Sequence, residues 1–132
     1  MAWVDGDHSF FSPAVRPWGM DFSRILLVRP PKDDENISLW VSEQLLCSGS
    51  FFPVVMYHVP MLGRTWGRRL ALAAEKGQTT GIVIRRTSSA LSSADLRVSV
   101  SGDEVCVLRN HGGVPKGVFT LPSPPAGTNP WD

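Results

Sequence analysis

The sequence predicts an α/β fold: a mostly parallel sheet with flanking helices, followed by a C-terminal antiparallel hairpin. Short apolar runs alternate with amphipathic stretches through the first two thirds of the 132 residues, the pattern of parallel strands joined by helices. Beyond them, two segments of alternating polarity flank Gly102-Asp103, which is hairpin chemistry. A chain of this length buries a core without disulfides or metal, and the two cysteines, Cys47 and Cys106, show no CxxC or Cys/His spacing.

The elements follow in order. The first strand begins at once with Ala2 to Val4, and Pro13 and Pro17 then limit the next segment to a turn or two of helix. Arg24 to Arg29 reads as a buried strand closed by Pro30-Pro31. From an N-cap at Asp33 or Asp34, Ile37, Trp40, Val41 and Leu45 recur at helical spacing and are expected to face the core, up to a stop at Ser48-Gly49. Phe51 to Val59 is the third strand, with Pro53 near its start, and its apolar content on both faces implies helices on both sides of the sheet. A second helix runs from about Arg64 to Lys76 with Trp66, Leu70 and Ala73 or Ala74 inward and Gly77 as its stop. Thr80 to Arg85 is the fourth strand. Ala94 to Ser101 and Glu104 to Asn110 form the hairpin, where the sheet is expected to turn antiparallel, and Val114 to Leu121 adds a last strand.

Charge excludes some functions. Thirteen Lys and Arg against twelve Asp and Glu leave a net charge of +1, so no global field draws the protein to nucleic acid or anionic membrane. No apolar run approaches the ~20 residues of a membrane span, and no basic n-region opens the chain, so a cytoplasmic protein with reduced thiols is expected. His8, His58 and His111 lack metal-ligand spacing, and nothing resembles a nucleophile elbow, so no metal, cofactor or catalytic residue is assigned.

Several short motifs stand in a consistent order: Ala2-Trp3-Val4-Asp5-Gly6-Asp7-His8, Ser12-Pro13, Gly19-Met20-Asp21, and Cys47-Ser48-Gly49 before an apolar strand. In this register the chain resembles the RecA core downstream of its P-loop. Arg24 to Pro30, Arg68 to Glu75, Leu96-Arg97-Val98 and Arg109 to Gly113 bring it nearer to the ImuA and SulA-like branch of that superfamily. The resemblance spans residues 1–121, a truncated RecA-like core, and leaves 122–132 as a Pro-rich flexible tail carrying Trp131, read as disordered in preference to a partner anchor.

The resemblance implies a fold whose first strand, the one bearing the P-loop, is missing. The remainder must close the sheet across the gap or leave two unpaired edges, which favours a homodimer or a partner that supplies a strand. No GxxxxGK[ST] occurs, so ATP has no cradle. Tyr57 stands where the family places its Mg²⁺-binding aspartate. Asp7 matches the glutamate that polarises the attacking water, and its own reading is a strand-end turn. Arg86 is a third degenerate position. The loops that grip DNA in RecA shrink to Pro60–Gly63 and Arg85–Ser93. Arg64, Arg68, Arg69, Arg85, Arg86, Arg97, Arg109 and Lys116 remain as candidates for a partner or weak DNA-binding surface, against the plainer reading of solvated charge. The function implied first is that of a non-catalytic accessory in SOS damage-induced mutagenesis and translesion synthesis, contacting RecA or an ImuB-like error-prone polymerase. The second is a SulA-like inhibitor that caps the tubulin-like division protein.

Overall fold

The computed structural model describes residues 1–32, 34–57, 63–86, 93–113 and 117–123. They divide into two compact units, the first made of Met1–Phe11 and Asp21–Ser93, the second of Ser12–Met20 and the chain from Ala94 onward.

The first unit carries a parallel sheet of β1 (Ala2–Asp5), β2 (Leu26–Val28), β3 (Val54–Tyr57) and β4 (Gly81–Ile84), in the order β2-β1-β3-β4. Helix α1 (Glu35–Ser48) joins β2 to β3, and α2 (Arg64–Gly77) joins β3 to β4. Both crossovers advance in the same direction across the sheet, and right-handed connections then put both helices on one face. Ala2, Val54 and Met56 meet Leu39 and Leu46 of α1 and Leu70 and Ala73 of α2 there in a single core. Trp3 and Val55, paired in register on the opposite face, are covered differently: Phe10 of the β1–β2 connection lies against Trp3 at 4.6 Å between ring centroids. The helices expected on both sides of β3 are therefore corrected to helices on one side. Val55 is buried all the same, while its neighbours on β4, Ile82 and Ile84, stay exposed.

Two further expectations change. β2 is shorter than Arg24–Arg29 and is not buried: Leu26 and Leu27 are 42% and 38% exposed, because β2 is an edge strand paired only with β1. On α1, Trp40 is 55% and Ile37 39% exposed, whereas Ser38, Leu39, Ser42 and Leu46 are buried. The core-facing stripe lies one residue away from the one richest in apolar side chains. It tolerates two serines because each hydroxyl is satisfied on its own helix: Ser42 Oγ donates to Ser38 O at 2.7 Å and Ser38 Oγ to Asp34 O at 3.3 Å. Asp34 caps the helix, its Oδ1 accepting from Ile37 N at 3.0 Å. The other candidate cap, Asp33, lies outside the described residues.

α2 matches its expected span, with Leu70 and Ala73 buried and Trp66 packed against the core. Its end differs in detail. The left-handed capping position belongs to Gln78 (φ 49°), and Gly77 is required for another reason: a Cβ there would lie 1.8 Å from Leu46 O, where the ends of α1 and α2 touch.

In the second unit, β5 (Leu96–Ser101), β6 (Glu104–Asn110) and β7 (Val118–Thr120) form an antiparallel sheet in the order β5-β6-β7. The hairpin turns at Gly102, with φ 60°. The pairing Val98↔Val107 and Val100↔Val105 realises the alternation read from sequence, with a register shift between Arg97 and Val98. This sheet is separate from the parallel one, so the antiparallel strands do not extend it. β4 and β5 each stand at the end of their own sheet.

Candidate functional site

Sheet order reverses at β1: the chain leaves β1 toward β2, while β3 lies on the other side. In open α/β sheets the crevice at such a reversal, beyond the carboxyl ends of the strands, is the usual place for a ligand or partner. Asp5 and Tyr57 are the last paired residues of β1 and β3 there.

Asp5 is fully buried, and its carboxylate organises the segment that follows. Oδ1 accepts from Ser9 N at 3.1 Å, and Oδ2 accepts from Phe10 N at 3.0 Å and from Arg29 Nε at 3.2 Å. Arg29 Nη2 donates onward to Phe10 O at 3.2 Å. A buried carboxylate holds its charge only with such partners. Asp7 closes a smaller loop, its Oδ1 accepting from Ser9 Oγ at 2.7 Å and from Ser9 N at 3.3 Å, the strand-end turn that its short side chain favours. His8, in the left-handed region at φ 59°, donates from Nε2 to Pro30 O at 2.6 Å, which fixes the proton on that nitrogen. Gly6 to Phe10 is thus pinned to the end of β2 by Asp5–Arg29 and by His8–Pro30.

The chemistry available here is structural. Both oxygens of Asp5 are engaged in holding backbone and guanidinium, and among the described residues no group of three His, Cys, Asp or Glu is placed to hold a metal ion. Tyr57 lies 6.1 Å from Trp3 between ring centroids. Trp3 Nε1 is buried without a hydrogen-bond partner among the described residues.

The candidate cations are spread over several elements. Arg64 and Arg68 are exposed on α2. Arg69 grips Glu43 of α1 with two hydrogen bonds, 3.0 Å from Nε and 2.6 Å from Nη2, and lies 4.0 Å over the Trp66 ring. That bond to Glu43 pushes the Arg69 guanidinium further toward its charged form. Arg85, half-buried, and Arg86, exposed, follow β4. Arg109 is on β6 in the second unit, 2.9 Å from His111 Nε2. Trp131, His58 and Lys116, and most of the two shortened loops, lie outside the described residues.

Sequence reasoning missed Asp5, Arg29 and Phe10. The available signal was an aspartate ending an apolar strand just before Gly6, a charge that the fold would have to bury and pair.

A one-sided parallel sheet with two crossover helices and a separate antiparallel sheet defines a mixed α/β protein whose strand-end groups are spent on architecture. No known protein family matches the chain, and no curated protein matches it. Among solved structures it is similar to the crystal structure of SulA from Pseudomonas aeruginosa, with 28% sequence identity and a TM-score of 0.56 over 64% of this chain and 69% of that one. The likeness supports a SulA-like fold and bears on that part of the resemblance, not on RecA or ImuA. No helix among the described residues is long and apolar enough to cross a membrane.

Proposed function

We propose that this chain is a non-catalytic interaction protein of the SulA kind, acting by capping the tubulin-like division protein. The observation that carries this reading is the likeness to SulA, at 28% identity over 64% of the chain. Two features agree with it. The sequence has no phosphate-binding loop, and Tyr57 stands where an ATPase would need a carboxylate. Large apolar side chains, among them Trp40 and Ile37 on α1, are exposed as protein-binding surfaces require. Sedimentation of the division protein's GTP-dependent polymers tests the reading: added chain should lower the pelleted fraction, and undiminished polymer at stoichiometric excess would refute it. The accessory role in damage-induced mutagenesis rests on the motif resemblance alone. A pull-down that recovers RecA or an error-prone polymerase, and no division protein, would put that role first.

A further inference from the structure

Helix α2 presents Arg64, Arg68, Leu72 and Lys76 at successive i+4 positions, all four exposed. Such residues form one ridge along a helix, here about 18 Å long. Leu72 is 55% exposed at its centre. The N-terminal half of the ridge works against the helix that carries it. Arg64 and Arg68 repel each other at i, i+4, and they sit in the opening turns, where the helix dipole favours acids and the first turn has none. The cap, Gly63, makes no side-chain hydrogen bond to offset this. The nearest organised acid, Glu43, is already taken by Arg69. Among the described residues neither Arg64 nor Arg68 is in an ion pair, and only Glu75 brings negative charge to the far end of the helix. Local rules broken together with no gain to the fold are what a binding surface leaves in a structure.

We propose that this ridge is the docking surface for an acidic protein segment, a helix or loop whose carboxylates meet Arg64 and Arg68 and whose apolar side chain covers Leu72. The inference rests on the reading of the chain as a protein-binding module and names the face that it uses. Guanidinium forks match carboxylates two bonds at a time. A nucleic acid fits less well, because a leucine interrupts the cations, no aromatic stands in the row to stack a base, and the net charge of +1 provides no supporting field.

The test uses the full chain and its Arg64→Glu/Arg68→Gln and Leu72→Ala variants. The probes are the purified division protein, a labelled 15-residue peptide of alternating Glu and Leu turns, and labelled single-stranded dT20. The double variant should bind the peptide and the division protein about tenfold more weakly and lose the salt dependence of the wild type, while melting at or above the wild-type temperature. Leu72→Ala should weaken both without altering the salt dependence. Equal binding of the division protein by wild type and double variant overturns the ridge and leaves the proposed function standing. A wild type that ignores the division protein but takes the peptide through Arg64 and Arg68 overturns that function and supports the ridge. Tighter binding of dT20 than of the peptide overturns the ridge as an acidic-protein site.

Discussion

At the scale of single residues, Asp5 and Gly77 carry the heaviest constraints. Replacing Asp5 with Ala strands Phe10 N and Arg29 Nε, while Ser9 N keeps its second acceptor, Asp7 Oδ1. A shielded donor left unsatisfied costs about 1–3 kcal/mol, and with the solvent-screened Arg29, whose side chain is 45% exposed, discounted, the loss should be of that order. Chemical denaturation measures it, and a variant within about 0.5 kcal/mol of wild type would mean the connection is held some other way. Gly77→Ala drives a methyl into Leu46 O and should cost about 1–3 kcal/mol or more by overpacking. Asp21 gives a smaller, pH-readable effect. Hydrogen bonds from the Ser23 side chain and backbone hold its carboxyl below the ordinary value of 3.8. A depressed folded pKa means a stabilising contribution present above 3.8 and lost as pH falls below it; Asp21→Asn should remove that acid-side dependence from the melting curve.

At the scale of elements, α1 shows what the sequence could and could not disclose. Its cap at Asp34 and its stop at Gly49 were readable, because capping chemistry is local. Its buried face was not. Counting apolar residues favours Ile37, Trp40, Val41 and Leu45, of which Leu45 does pack against the core, and nothing in the sequence alone says that Ser38 and Ser42 return their hydroxyls to the helix and let the neighbouring stripe turn inward. Leu39→Ala should therefore cost about 2–5 kcal/mol, whereas Trp40→Ser should change stability by less than about 0.5 kcal/mol. Reversed magnitudes in a pair of urea titrations would restore the sequence-based face. β3 was overextended and its surroundings misjudged for a related reason. An apolar run on both faces reports burial but not its source: both helices lie on one face, and on the other Phe10 of a loop packs against Trp3 of the neighbouring strand β1. The hairpin was readable near its turn, since alternation and a Gly-containing turn set register directly, but the register shift between Arg97 and Val98 was not. That the hairpin stands in its own sheet was not readable either, because whether two sheets join depends on contacts between elements distant in sequence, which local patterning does not encode.

At the scale of the whole molecule, the end of β1 is committed through Asp5 to holding the connection to β2. Introducing a carboxylate by Tyr57→Asp should give no ATP hydrolysis, because the sequence holds no GxxxxGK[ST] loop to bring Mg²⁺ to it. Calorimetry should find ATP affinity no better than the millimolar range, about −4 kcal/mol at most. Micromolar binding would contradict the non-catalytic reading.

The position of β1 also governs how the protein is made. It is central in its sheet, yet it precedes both of its partners along the chain and must wait for β2 and then for β3, whose Val54 pairs with Ala2. Pairings so distant along the chain raise contact order and slow folding. During synthesis the apolar stretch Ala2-Trp3-Val4 remains without its second neighbour until more than fifty residues have emerged, an interval in which a holding chaperone would find it accessible.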